Sequence, residues 1–156
     1  MKRIVNTIVI LILCFSLWGC NNADNTKTMG QCTILVECST IFDNMDKLDK
    51  AVKDFVPDSG MILEKRTVDI SDGDTVYDVL TRELKKENIL MEASFTGSSA
   101  YVEGISNIYE FSCGELSGWM YCVNGEYPGK SCSDYTVKNN DVIEWHYTCD
   151  LGEDLK

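Results

Sequence analysis

Histidine is almost missing from this chain of 156 residues, where His146 stands alone. Ser-His-Asp chemistry would have to run through that one side chain, and no Gly-x-Ser-x-Gly turn presents a serine to it. No Cys-x-x-Cys pair occurs, which speaks against a thioredoxin-like motif and, with a single histidine, against a zinc site. No loop carries the Gly-x-x-x-x-Gly-Lys-Ser/Thr spacing of a phosphate cradle. Basic side chains are scarce as well: 14 Lys and Arg stand against 25 Asp and Glu, a formal charge of −11. Phosphate backbones are held by clustered Lys and Arg, so the balance disfavours nucleic acid and reads as a solvated, acidic surface. No carboxylate pair is singled out by its spacing, no catalytic residue is assigned, and a non-enzyme is expected. The most apolar stretch, Ile4 to Phe15, is interrupted by Asn6 and Thr7 and falls short of the roughly 20 residues of a spanning helix.

That stretch has another reading. Met1-Lys2-Arg3, the apolar run and Leu17-Trp18-Gly19-Cys20 together resemble a bacterial lipoprotein signal peptide ending in a lipobox, although Trp18 stands where small residues are usual. The resemblance implies cleavage after residue 19 and a diacylglycerol on the Cys20 thiol. It also implies a lipid-bilayer partner and a place on the bacterial cell membrane facing the extracytoplasmic side. Loss of Lys2 and Arg3 would take the basic count from 14 to 12 and the formal charge to −13. Residues 20–31 then read as the lipidated cysteine and a polar tether with a reach of about 18 Å.

Of eight cysteines, Cys14 falls in the leader and Cys20 at the lipid site. Cys32, Cys38, Cys113, Cys122, Cys132 and Cys149 remain, an even number that in a small exported domain predicts disulfides, three if all pair. Cys32 and Cys38 bracket a run of strand character whose ends would lie about 20 Å apart, too far for a bridge between them. Each is therefore expected to pair with a distant cysteine.

Residues 32–38 predict a first strand. Ile41, Phe42, Met45, Leu48, Val52 and Phe55 recur at helical spacing and predict a short amphipathic helix that Pro57-Asp58-Ser59-Gly60 stops. Met61 to Leu63 and Arg66 to Ile70 read as two short strands. Thr75, with Asp78 three residues on, opens the clearest helix, which buries Val76, Val79, Leu80 and Leu84 and ends near Glu87-Asn88. Asp69, Asp72 and Asp74 miss the EF-hand order and read as turn and cap chemistry. Short strands follow at Met91 to Phe95, Ala100 to Val102, Ile108 to Phe111, Trp119 to Val123 and Val142 to Cys149, with Asn124-Gly125 as a turn. One principal helix among short strands predicts an α+β fold.

Gly73-x-Thr75-Val76-x-Asp78-Val79-Leu80, Gly118-Trp119-Met120-Tyr121-x-Val123-Asn124-Gly125 and Asp141-Val142-Ile143-Glu144-Trp145-x-Tyr147-Thr148 carry a resemblance. These segments are similar to the bacterial transcobalamin-like C-terminal domain family, related to the smaller domain of transcobalamin and intrinsic factor. The resemblance spans about residues 67–149. It implies a β-grasp-like mixed sheet packed on one main helix, here preceded by a strand and short helix at 32–66, with residues 67–156 as the transcobalamin-like domain. It further implies small-ligand binding, with cobalamin or another corrinoid as first candidate, no required cofactor, and delivery to a membrane uptake transporter. The large helical domain of the animal carriers has no counterpart here, so a corrinoid would meet this half alone or be shared with a partner.

Two readings stay open for the aromatic residues. Trp119, Tyr121, Trp145 and Tyr147 suit either a platform for a flat ligand or the core of a half-buried sheet. Tyr127, Tyr135 and Tyr101 lie beside turns, where a binding rim would sit. Asn124 offers an amide to a ligand or serves only its turn. His146 alternates away from the Trp145 face. The alternative function is a cell-surface module that binds protein or glycan through exposed tyrosines.

Overall fold

The computed structural model describes residues 28–156. The leader, Cys20 and residues 21–27 of the tether lie outside the described residues. Among the described residues, seven strands form a four-stranded and a three-stranded sheet around one α-helix, a mixed α+β architecture.

β1 (Thr28–Glu37) starts inside the segment read as tether, because Thr28 to Gln31 pair with β2 (Met61–Ser71). Gln31 also donates its backbone N–H to Asn139 Oδ1 at 2.8 Å, fixing the strand's start to the far end of the sequence. β2 is one strand where the sequence suggested two. Ile34 pairs with Arg66 and Val36 with Leu63, so Glu64 and Lys65 together oppose Leu35, a bulge that breaks the apolar alternation without ending the strand.

The amphipathic helix expected over 41–55 is not formed. Its place is taken by 3-10 turns at Ser39–Asn44 and Lys53–Phe55. Ile41 and Leu48 reach the core, whereas Phe42, Met45 and Phe55 are exposed. Asn44 and Asp49 bond nearby backbone, Nδ2 to the Thr40 carbonyl and the Asp49 carboxylate to the Ala51 N–H. Such local bonds compete with an α-helical ladder, and apolar spacing alone does not outweigh them.

α1 (Val76–Lys86) follows the sequence closely. Thr75 Oγ1 accepts from the Asp78 N–H at 3.2 Å and Asp78 Oδ2 accepts from the Thr75 N–H at 2.9 Å, a reciprocal capping box. Val76, Val79, Leu80 and Leu84 are buried, Lys85 and Lys86 complement the negative end, and Asn88, at φ 57°, closes the helix in the left-handed region. Asp74, from the acidic turn, accepts from the Ser71 N–H at 2.9 Å and pairs with Arg82 at 2.8 Å.

β3 (Met91–Thr96), β4 (Ser99–Ile105) and β5 (Ile108–Tyr109) make the antiparallel three-stranded sheet. β6 (Gly118–Val123) and β7 (Val142–Thr148) complete the other sheet, in the order β2-β1-β7-β6. β1 and β7 run parallel at its centre and the outer pairs are antiparallel. Ile34 and Val36 of β1, Ile143, Trp145 and Tyr147 of β7 and the apolar face of α1 share one core with Val102, Ile105 and Ile108.

All six cysteines in the described region are buried free thiols, so the expected disulfide linkage is not seen. Burial pushes Cys38 and Cys149 up to about 12 and Cys32, Cys122 and Cys132 up to about 11, keeping them protonated. Cys32 lies inside β1 and Cys38 directly follows its last residue, Glu37. Cys113 and Cys149 lie close enough to perturb one another, the Cys113 thiol donating to the Asn44 carbonyl at 3.4 Å and the Cys149 thiol to Thr40 Oγ1 at 3.9 Å.

Candidate functional site: an aromatic cleft beside the edge strand

β6 is an edge strand, and β4 with the loop 127–132 rises beside it. Together with Trp145 they enclose a cleft of about 450 Å³ whose walls include Tyr101, Trp119, Tyr121, Tyr127 and Lys130. The loop is held in place by polar bonds: Ser131 Oγ donates to the Ala100 carbonyl at 2.7 Å, and Ser133 Oγ accepts from the Ala100 N–H at 2.9 Å. The same segment holds the start of α1, since the Val76 N–H donates to the Tyr135 carbonyl at 3.0 Å.

Strand register divides the four sheet aromatics into two cross-strand pairs, Trp119 with Tyr147 and Tyr121 with Trp145. Trp119 and Tyr147 meet edge to face at 5.2 Å. Trp119 Nε1 donates to the Ile108 carbonyl at 2.8 Å, and the fully buried Tyr147 donates its hydroxyl to the Tyr109 carbonyl at 2.7 Å. Tyr147 does not line the cleft, and burial pushes its phenol up to about 12. Tyr121 and Trp145 lie 5.4 Å apart with a 35° tilt, and both line the cleft. Tyr121 spends its hydroxyl on the Lys130 carbonyl at 2.9 Å, and burial pushes its phenol up to about 12. Trp145 is only 2% exposed, yet its indole Nε1 has no hydrogen-bond partner among the described residues. An unpaired buried donor costs about 1–3 kcal/mol.

The remaining candidates divide in the same way. Tyr127 lines the cleft, and burial pushes its phenol up to about 12. Tyr101 lines it too, with its hydroxyl donating to Glu110 at 2.6 Å. Tyr135 stays outside the wall, its ring 6.4 Å from Tyr121 and with the Lys130 ammonium 4.6 Å from its centroid. Asn124, at φ 56°, uses both ends of its amide to clamp the turn: Nδ2 donates to Asp141 Oδ1 and Oδ1 accepts from the Val142 N–H, each at 2.9 Å. Pro128 to Ser131, which the sequence did not single out, form one wall. Their signal was only a turn-forming Pro128-Gly129 after an edge strand, with nothing to say where the loop would fold.

On the opposite face of the same strands, Cys122, Glu144 and His146 gather. His146 Nδ1 lies 2.7 Å from Glu37 Oε1.

Fold and cleft describe a small α+β domain with an open, aromatic-walled recess. Residues 73–149, which take in α1 and β3 to β7, match the model of a family described as "Domain of unknown function (DUF4430)". None of the curated proteins compared matches the chain. Among solved structures the chain is similar to haptocorrin in complex with Cbi, with a TM-score of 0.52 and 12% identity over 80% of this chain. The match takes in 26% of that protein, so this chain spans about a quarter of its length, and at such identity it speaks for the fold alone. A protein from Ruminococcus gnavus ATCC 29149, described as "a putative metal binding protein", aligns with a TM-score of 0.46 and 12% identity over 76% of this chain and 96% of that one.

Proposed function

We propose that this chain is a membrane-anchored, extracytoplasmic binding domain that takes a flat small molecule into the aromatic cleft. Cobalamin or another corrinoid is the first candidate, passed on to an uptake transporter without chemical change. The observation that carries the reading is the Tyr121–Trp145 pair, which lines a recess of about 450 Å³ together with Tyr101, Trp119 and Tyr127. Recesses of this size and apolar character are typical of small-ligand sites. The haptocorrin likeness supports the corrinoid candidate, since that structure is a complex with Cbi. A recess of this volume would grip part of a corrinoid and leave the rest to a partner or to solvent.

Two structural readings accompany the proposal. A parallel central pair, β1 and β7, flanked by antiparallel strands and backed by α1, supports a β-grasp-like description. In an oxidising envelope, the neighbouring Cys113 and Cys149 thiols are candidates to bridge, passing two electrons to a disulfide donor and releasing two protons.

The test is titration of the protein lacking residues 1–19 with cobinamide and cobalamin, followed by corrin absorbance and tryptophan fluorescence. Saturable change in the micromolar range is expected; no change at tens of micromolar would remove the corrinoid from the proposal. The alternative, a protein- or glycan-binding module, draws on Phe95, Tyr101 and Phe111, which are exposed on and beside the three-stranded sheet. Replacing Phe95 and Phe111 with serine leaves the titration unchanged if the cleft is the site.

A further inference from the structure

Five of the six described cysteines join the apolar core; Cys122, only 3% exposed, stands outside it. It projects from the other face of β6, where period-two alternation places it among polar side chains. Register sets Cys122 directly across from Glu144, and His146 follows two residues along the same face of β7. Cys122 Sγ lies 3.6 Å from Glu144 Oε2 and 3.9 Å from His146 Nε2, and the three donor atoms all fall within 4.8 Å of one another. We infer that Cys122, Glu144 and His146 form a binding site for a divalent metal ion of the zinc class.

Zinc bonds of about 2.3 Å to sulfur and about 2.0–2.2 Å to nitrogen or oxygen, at tetrahedral angles, separate the donor atoms by about 3.5 Å. The two sulfur distances are therefore within a few tenths of an ångström of what one bound ion requires. Thiolate, imidazole and carboxylate together suit zinc and the later divalent transition metals over magnesium or calcium, which take oxygen. Three protein ligands leave a fourth position for water or a ligand, the pattern of open zinc sites.

The surroundings are arranged accordingly. β1 runs parallel to β7 with Glu37 in register with His146, and Glu37 Oε1 lies 2.7 Å from His146 Nδ1. A proton on Nδ1 satisfies that contact and leaves the Nε2 lone pair facing Cys122, the carboxylate–histidine relation found behind metal-bound imidazoles. Glu37 is held in turn by the Ser39 hydroxyl. Glu144 meets Lys65 only through its other oxygen, at 4.0 Å, and that lysine is largely exposed. A cavity of about 420 Å³ adjoins His146, and Glu37, Asp43 and Asp154 in its wall outnumber its one basic residue, Lys156. That excess draws cations to the site. On binding, the Cys122 thiol passes its proton to solvent as the sulfur–metal bond forms.

Cobalt(II) is the probe. Added to the full chain under reducing conditions, it should give the sulfur-to-cobalt charge-transfer band and strong visible bands of a tetrahedral site. One equivalent of zinc should abolish both. Cys122→Ser should remove the charge-transfer band, and Glu37→Gln should weaken cobalt binding about 10- to 100-fold while the band remains. Near-ultraviolet circular dichroism of each variant establishes that it is folded. Should Cys122→Ser unfold the domain, the Glu37→Gln affinity and the band in the parent chain decide the matter. The inference is overturned if the reduced parent protein shows only the spectrum of aqueous cobalt, or if folded Cys122→Ser keeps the charge-transfer band.

Discussion

Trp119–Tyr147 and Tyr121–Trp145 are neighbouring cross-strand pairs on one face of the same two strands, yet they are used differently. In the first pair both polar atoms find backbone carbonyls, Trp119 at Ile108 and Tyr147 at Tyr109. In the second, the tyrosine is tied to the loop at Lys130 and the indole N–H of Trp145 finds no acceptor among the described residues. Burial alone would not separate them, since Trp119 is 7% exposed and Trp145 2%. Hydrogen-bond satisfaction does. A closed account of donors and acceptors fixes a side chain in place, and an open one leaves a buried polar atom that the described residues do not satisfy.

The contrast is broken most severely by Trp119→Ala. It empties a filled core position and is expected to cost about 3–5 kcal/mol, read as a lower urea midpoint with an unchanged slope. Tyr147→Phe keeps the ring but leaves the Tyr109 carbonyl without its side-chain donor, for an expected loss of about 1–2 kcal/mol by the same measurement. Trp145→Phe should have the smallest effect on stability. The cavity it opens is offset by removal of an unpaired buried N–H, so the change should stay well below that of Trp119→Ala. A Trp145→Phe cost equal to that of Trp119→Ala would erase the distinction between the pairs.

Legibility in the sequence followed the range of the interactions. α1 was readable because its capping box and apolar spacing lie within a dozen residues, and β6 and β7 because alternation is local. The 3-10 segments at 39–55 were misread as a helix because Asn44 and Asp49 bond backbone nearby, which a count of apolar positions ignores. The two strands proposed within 61–70 are one, since the bulge at Glu64 and Lys65 is visible only against β1. Of the residues named from sequence as binding candidates, Trp119, Tyr121, Tyr127 and Trp145 line the cleft, whereas Asn124, Tyr135 and Tyr147 do not. The loop that encloses the cleft was not named, because Ser131 and Ser133 bond Ala100 across some thirty positions. Cys122 was named only as a disulfide candidate, His146 only as facing away from Trp145, and a zinc site was disfavoured, for a related reason. Metal motifs are recognised by short spacings along the chain, and here the ligands come together across two strands.

The central claim is that the cleft at Tyr121 and Trp145 holds the ligand. It is tested most directly by cobinamide titration of Tyr121→Ala beside the parent protein, with tryptophan fluorescence as the readout and the urea midpoint of each as the control for folding. The account predicts saturable quenching in the parent protein and at least a tenfold weaker affinity in a variant that remains folded. Equal affinity in the two proteins would contradict it.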